Sequence, residues 1–283
     1  MNKLDSVNTQ HKQLSVKISH AAIGEIYCLN EMEARATVHE VWIDELYLQA
    51  GISISAGNVV LDVGANIGVF TLYAAKQGAQ VYAYEPMPPT YAVLQQNVKA
   101  HDLGWLVQTR NIGLSDRAEE KIMFHYPKLS VCDAWTAQDS LFGHLTENWE
   151  NALEIIEAGD PDQAAAIRCL ATRSEQQAAV QQRIKRISSE VVQVKCKFDT
   201  LSGVIAKEKL EFIDLLKLDA ELADWEILNG VMDKDWERIG QVAMEVHVAP
   251  DVKPISEFLK NRGFSRVASK ELKMGTGCIW AIK

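Results

Sequence analysis

Two sets of residues in this chain have the types and the spacing that chemistry needs. The first is Asp62-Val63-Gly64-Ala65-Asn66-Ile67-Gly68, followed 21 residues after Gly64 by Glu85. Glycines spaced in this way let a backbone turn sharply or approach a ligand with no side chain between. An acid at the tip of the next strand is placed to grip a ribose diol. Together they predict a nucleoside-containing cofactor. The dinucleotide fingerprint G-x-G-x-x-G sets a pyrophosphate on a helix N-terminus. Here the pattern is D-x-G-x-N-x-G, and a carboxylate just before the turn would repel a pyrophosphate but attract an amino group. S-adenosylmethionine has no phosphate, and it carries an ammonium, a sulfonium and a ribose diol. Asp62 and Glu85 therefore favour it over a nicotinamide dinucleotide. The plainer alternative is that Asp62 and Asn66 only cap the following helix.

The second set is Asp219, Glu221, Glu245 and His247. Histidine accepts a proton near neutral pH, and an alcohol oxygen must lose its proton as it attacks a methyl carbon. Direct displacement needs a positioned nucleophile and a nearby base, with no covalent enzyme intermediate. His247 is the candidate base, and a neighbouring carboxylate would orient its ring. Glu221 sits at an adjacent strand end, and Glu245 shares a strand face with His247. Both qualify, with Glu221 favoured. The competing reading is a satisfied core histidine. Asp219, Glu221, Asp224 and Glu245 could instead hold a divalent cation, but their spacing is no recognised ligand motif and no metal is assigned. His125, Tyr126, Trp135 and His144 are candidates for lining an acceptor pocket, although each alone reads more readily as packing or surface.

These residues need a frame. Strands are expected at 59–63, 80–84 and about 106–112, with helices after the first two, including one over 90–101. Alternation of this kind predicts a parallel, doubly wound sheet. Ligands of such sheets lie beyond the carboxyl ends of the strands. That rule collects Gly64 to Gly68, Glu85, Asn111 with Gly113, Asp219 with Glu221, and Glu245 with His247 at one crevice. A helical stretch is expected over 40–48, and residues 1–20 read as a loosely attached lead. Further strands are expected at 121–126 and 191–198, flanking helices over 139–190 with a break at Gly159-Asp160-Pro161. The sheet resumes at 213–219 and 241–247, after a helix over 225–232, and closes with an antiparallel pair at 265–268 and 278–282. The expected organisation is an N-terminal lead with helices over 1–56 and a core over 57–283, interrupted at 120–195. An insertion of that length is expected to be a lid or acceptor-binding element, the alternatives being a dimerisation arm or plain decoration.

Composition narrows the function classes. With 283 residues, 47% of them hydrophobic, the chain can build one large core with an elaborate insertion. A net charge of −9 and the lack of a basic stripe argue against a nucleic-acid partner. The five cysteines are scattered with no C-x-x-C pair, so neither a zinc site nor a disulfide framework is expected. Residues 1–20 contain no apolar signal core, and no apolar stretch approaches membrane-spanning length. A cytoplasmic protein without a membrane partner is expected, and its oligomeric state is left open.

In combination the motifs resemble those of FkbM-type S-adenosylmethionine-dependent methyltransferases, over roughly residues 40–282. Val60 to Gly68 looks like the first motif of that family, and Tyr84-Glu85-Pro86 like its ribose-binding strand end. Asn111-Ile112-Gly113-Leu114-Ser115-Asp116, Phe198-Asp199-Thr200-Leu201 and Leu216-Lys217-Leu218-Asp219-Ala220-Glu221 match later landmarks. One departure stands out. The family usually has Asp-Val-Glu-Gly-Ala-Glu after the fourth strand, where this chain has Asp219-Ala220-Glu221-Leu222-Ala223-Asp224. Leu222 replaces a glycine, so the turn or the acceptor approach is expected to differ. The lead-in over 41–56 and Tyr126-Pro127 look like O-methyltransferase domains of polyketide assembly lines. The resemblance implies a Rossmann-like class I methyltransferase, α/β, with a mostly parallel doubly wound sheet, an antiparallel final strand and a largely helical lid insertion. It implies S-adenosyl-L-methionine held by Asp62, Gly64, Asn66, Gly68, Glu85, Asn111, Gly113 and Asp219. It further implies a histidine–glutamate base, mapping to His247 with Glu221 or Glu245. The implied reaction is O-methylation of a hydroxyl or enol on a natural-product intermediate, a small molecule or one tethered to an acyl carrier protein. Sugar O-methylation, small-molecule N-methylation and a silent cofactor-binding protein are the alternatives.

Overall fold

The computed structural model describes residues 15–127, 129–134, 142, 145–272 and 275–283. The chain begins with an antiparallel hairpin, β1 (Val16–His20) and β2 (Gly24–Cys28). Both the N–H and the carbonyl of Tyr27 are bonded by the side chain of Asn97. The lead is therefore anchored from Val16 onward, contrary to the loose attachment expected for all of its first 20 residues. Helix α1 (Glu31–Val38) starts on Asn30, whose side chain accepts the Glu33 N–H. It runs on into a π-helical turn, His39–Ile43. The continuous helix expected over 40–48 is broken at Glu45, whose φ is +49°, before a 3-10 turn at Leu46–Leu48. The Glu45 carboxylate there accepts the Tyr73 hydroxyl at 2.8 Å.

The core then alternates β3 (Val59–Val63), α2 (Val69–Lys76), β4 (Gln80–Tyr84), α3 (Pro88–Ala100) and β5 (Val107–Arg110). The third strand ends sooner than its hydrophobic run suggested. Past Asn111 the chain leaves the main sheet, and β6 (Gly113–Leu114) pairs elsewhere. The insertion follows. It holds β7 (Glu119–His125), α4 (Trp149–Gly159), α5 (Pro161–Arg168), α6 (Arg173–Ser188) and β8 (Val192–Asp199). The helix break lies where Gly159-Asp160-Pro161 placed it, with Asp160 capping α5 through the Gln163 N–H and Thr172 forming a capping box with Glu175 on α6. β7 and β8 pair antiparallel and, with β6, make a separate three-stranded sheet. The helices bury a cluster of their own, including Leu153, Ile156, Val180 and Ile184.

The chain returns through α7 (Leu201–Glu208), β9 (Leu215–Leu218), α8 (Asp224–Asn229), α9 (Asp233–Trp236), β10 (Gln241–Val246), α10 (Val252–Asn261), β11 (Arg266–Glu271) and β12 (Gly277–Ile282). The main sheet has the order β11-β12-β10-β9-β3-β4-β5. Strands β10, β9, β3, β4 and β5 are parallel, and β12 runs antiparallel to both β10 and β11. β9 is buried at every position, as its unbroken apolar frame around Lys217 requires of a strand covered on both faces. One core lies between the sheet, α2, α3 and the N-terminal hairpin, and another between the sheet and α7 to α10. Among the described residues no helix is long and apolar enough to cross a membrane.

The tightest approach lies where β3 and β9 end side by side. A Cβ on Gly64, whose φ is +73°, would sit 1.7 Å from the carbonyl oxygen of Asp219. Only glycine permits both the left-handed backbone and this contact. Gly64→Ala must push the two strand ends apart, and urea denaturation is expected to show a loss of more than about 1 kcal/mol in unfolding free energy. An unchanged midpoint would show that the strand ends separate freely.

Candidate active site

A cleft of about 670 Å³, counting its open mouth, lies beyond the carboxyl ends of β3, β4 and β9. Gly64, Asn66, Glu85, Gly113, Asp219 and Glu221 line it, so six of the residues expected at one crevice do meet there. The insertion supplies the facing wall through Met123, Ser130, Val131, Asp133, Ala134 and Phe198.

The loop after β3 is tied to β4. The N–H groups of Gly64 and Ala65 both donate to the Tyr84 carbonyl. The N–H of Asn66 donates to Glu85 Oε2 at 3.0 Å, and that of Met87 to Oε1 at 2.8 Å. Burial still pushes the Glu85 carboxyl up to about 8, against these bonds. Asn111 is a positioning residue, since its amide donates to the carbonyls of Glu85 and Pro86 at 2.8 and 3.0 Å and holds the tip of β4. Asn66 also caps locally, accepting the Ile67 N–H on its side chain. Gly68 begins α2 outside the cleft wall. Gly113 owes its identity to packing, because a Cβ there would lie 2.3 Å from the Phe198 ring.

Asp62, expected at the same crevice, does not line the cleft. It is fully buried. Its Oδ2 accepts the Thr71 hydroxyl at 2.5 Å, and its Oδ1 faces Lys217 Nζ at 3.2 Å. It lies outside the cleft lining, engaged from within by Thr71 and Lys217. Its partner Lys217 is 3% exposed. That ammonium donates to the Gly64 carbonyl at 2.9 Å, lies 3.4 Å from Asp219 Oδ2, and rests against the faces of Tyr47 and Phe70. Burial disfavours its charge, but Asp62 and Asp219 outweigh burial and hold its pKa above the ordinary lysine value.

His247 follows β10, with its side chain 7% exposed. Nε2 lies 3.5 Å from both Asp219 Oδ1 and Glu221 Oε1, Nδ1 lies 3.5 Å from Asp224 Oδ1, and the backbone N–H donates to Asp224 Oδ2 at 3.0 Å. Burial works against the charged ring, yet Glu221, Asp219 and Asp224 together raise its pKa well above the usual histidine value. The ring itself stands behind the cleft wall, and its neighbours Asp219 and Glu221 form that wall. Asp219 also accepts the Tyr47 hydroxyl at 2.8 Å. Although partial burial works against its charge, it is held well below the usual carboxylate range by Lys217 and His247. Glu245 is pushed up to about 8 by burial and by Asp219, and Glu40 in the π-helical turn up to about 7 for the same two reasons. Leu222, where a glycine was expected, adopts a φ of +62°. That left-handed backbone favours glycine and is a costly arrangement for a leucine.

Sequence reasoning missed Glu33. From α1 this buried carboxylate accepts the Ser130 N–H, the Ser130 hydroxyl and the Val131 N–H at 3.0, 2.6 and 2.8 Å. It latches the insertion's wall segment to the N-terminal helix, and burial pushes it up to about 7. Its only sequence signal is an acid in a helix's first turn. His125, buried, contacts Asp133 Oδ2 through Nδ1 at 2.7 Å, and Asp133 Oδ1 accepts the Tyr126 N–H. Tyr126 packs edge-on against Phe142. Trp135 and His144 lie outside the described residues.

Comparison with known proteins gives a consistent picture. The family model "Methyltransferase FkbM domain" matches residues 62–266. The chain is 31% identical over 253 residues to 31-O-demethyl-FK506 methyltransferase FkbM of Streptomyces tacrolimicus, covering 86% of each chain. It is 30% identical over 251 residues to AMB antimetabolite synthetase AmbE of Pseudomonas aeruginosa, covering 83% of this chain but 11% of that much longer protein. Methyltransferase sdnD of Sordaria araneosa is 28% identical, with 84% and 85% covered. The crystal structure of methyltransferase FkbM from Methylobacillus flagellatus KT superposes with a TM-score of 0.51 at 12% identity, over 84% of this chain and 47% of that one. It shares the fold.

Two measurements follow from the buried charges. Lys217→Met strands Asp62 and Asp219, and is expected to cost about 3–5 kcal/mol in chemical denaturation. A cost below about 1 kcal/mol would mean that water reaches those carboxylates. Glu85 and Glu33 bind a proton more tightly folded than unfolded, with values of about 8 and about 7 against an ordinary 4.5. The stability they lend is complete below about pH 4.5 and is lost as pH rises through 7 and 8. Unfolding free energy of the ligand-free protein is expected to decline over that window, and Glu85→Gln and Glu33→Gln each to flatten the slope.

Proposed function

Because the chain belongs to the FkbM methyltransferase family, with S-adenosylmethionine as its cofactor, we propose that it methylates an oxygen. The acceptor is a hydroxyl or enol of a natural-product intermediate, of the polyketide β-hydroxyl or β-keto type, free or tethered to an acyl carrier protein. The cleft suits the cofactor. Glu85, Asp133, Asp219 and Glu221 line it, and no lysine or arginine does among the described residues. That lining favours a ligand of net positive charge over a phosphate-bearing one. Glu85, with both oxygens already held by backbone N–H groups, offers its remaining lone pairs to the ribose hydroxyls. When bound, the cofactor supplies an electrophilic methyl group on a cationic sulfur.

The observation that carries the reading is the His247 ring, 3.5 Å from both Asp219 and Glu221, which themselves form the cleft wall. His247 takes the proton of the acceptor hydroxyl, and Glu221 orients the ring and balances the imidazolium. The carboxylates around His247 favour its protonated form. A cationic cofactor beside Asp219 and Glu221 opposes that field and brings the ring back toward a titrating base. The Ser130–Ala134 wall faces the acceptor. The match to a short stretch of a long synthetase supports an acceptor handled in assembly-line fashion, and the match to a 31-O-demethyl-FK506 methyltransferase supports oxygen as the nucleophile.

The test is incubation with S-adenosylmethionine and carrier-bound β-hydroxyacyl and β-ketoacyl groups, read as the intact carrier mass. A gain of one methyl group is expected, and His247→Ala is expected to slow it by about 10²–10⁴-fold. Full turnover in His247→Ala would remove the base assignment. No gain on any carrier, with S-adenosylhomocysteine still bound, would overturn the tethered acceptor.

A further inference from the structure

The insertion's wall of the cleft carries one ionisable side chain, Asp133, among Met123, Ser130, Val131, Ala134 and Phe198. Two contacts fix its carboxylate. Oδ2 lies 2.7 Å from His125 Nδ1, and Oδ1 accepts the Tyr126 N–H at 2.8 Å. Nε2 of His125 makes no hydrogen bond among the described residues, so holding Asp133 is the polar task of that ring. The side chains of the pair are only 4% and 8% exposed, and a charge so placed is screened little by salt. The other carboxylates of the cleft are already engaged. Glu85 is held by two backbone N–H groups, Asp219 by Lys217 and Tyr47, and Glu221 faces the His247 ring. No lysine or arginine pairs with Asp133 among the described residues. Its charge is nevertheless felt on both sides of the cleft. Burial and then Asp133 push the Glu85 carboxyl up to about 8, and burial and then Glu221 raise that of Asp133.

We infer that Asp133 is the residue by which the cleft favours the positively charged sulfur of the cofactor over the neutral sulfur of its product. The inference rests on the proposed function, with Glu85 at the ribose and Glu221 and His247 at the acceptor. By covalent structure the sulfur is one carbon from the ribose and carries the methyl group that the acceptor attacks. A wall residue whose charge acts on both Glu85 and Glu221 serves the stretch between them. There a carboxylate attracts a sulfonium and gains nothing from a thioether. Burial works against the carboxylate's charge, and a sulfonium draws it back to the ionised form. His125 and the Tyr126 N–H are positioning groups, since they fix both oxygens and leave the charge where the cleft is lined. Methyl transfer returns the electron pair of the broken sulfur–carbon bond to sulfur, and the acceptor oxygen forms the new bond as its proton passes to His247. The charge that Asp133 answers is then gone, and the product is held less tightly than the cofactor.

The experiment is calorimetric binding of two ligands to the full chain, with no acceptor present. Sinefungin carries an ammonium-bearing carbon in place of the sulfur, and S-adenosylhomocysteine carries a neutral sulfur. They share every other group, so the ratio of their affinities isolates the charge at that position. The wild-type chain is expected to prefer sinefungin. Asp133→Asn, which keeps the shape and the Tyr126 bond, is expected to reduce that preference about tenfold by weakening sinefungin alone. An unchanged ratio overturns the inference. An equal loss for both ligands also overturns it, because Asp133 would then serve a part of the cofactor that the two share. Neither result touches the methyltransferase reading, which fails instead if the wild-type chain binds neither ligand, and the inference then falls with it. Should Asp133→Asn not fold, as judged by its thermal melt, Asp133→Ser takes its place, and an unchanged ratio there is equally fatal.

Discussion

The Lys217 ammonium is the interaction around which the site is arranged. A charge this deeply buried is tolerable only if it is paired and hydrogen-bonded on several sides. Its partners are Asp62 on the adjacent strand, Asp219 at the end of its own strand, and the carbonyl of Gly64 in the loop between β3 and α2. To satisfy one ammonium, the ends of β3 and β9 must lie in register and the loop must fold over them. The close approach of Gly64 to Asp219 follows from the same demand. The turn that lines the cleft is therefore set from below by a largely buried ion cluster.

From that anchor the charges step outward in order. Lys217 fixes one side of Asp219, Asp219 and Glu221 flank His247, and Asp224 holds the backbone and far edge of the ring. The ring is immobilised by carboxylates on both sides, so its basicity depends on what positive charge enters the cleft. A site with this electrostatic balance is suited to a reaction whose cofactor arrives as a cation and leaves as a neutral thioether.

Much of this was legible in the chain because parallel strands announce themselves locally. The apolar runs at Val59–Val63 and Leu215–Leu218 and the glycine-spaced turn predict the sheet, the crevice and the convergence of Gly64, Glu85, Asp219 and Glu221. What spacing does not give is the face a side chain takes or the distant group that meets it. Asp62 reads as a ligand-facing acid until Lys217, far along the sequence, is seen beside it. Asp224 reads as one of four acids that could hold a cation until its carboxylate is seen accepting the His247 N–H. Glu45 breaks a helix that periodicity continued, because its carboxylate is committed to Tyr73 on another element. The Leu222 departure is visible in sequence, but that this leucine takes up a left-handed backbone is a fact of the fold.

The bond set of Glu33 has a consequence for modularity. The cleft wall formed by Ser130 and Val131 is held by a helix that precedes the first strand of the main sheet, almost a hundred residues earlier in the chain. The insertion is thus not a self-contained cassette, even though its helices bury their own cluster. A chimera that exchanged this insertion for that of a relative would also have to exchange the N-terminal helix beneath it. Acceptor choice in such a scaffold would then be inherited as a pair of segments rather than as a single loop.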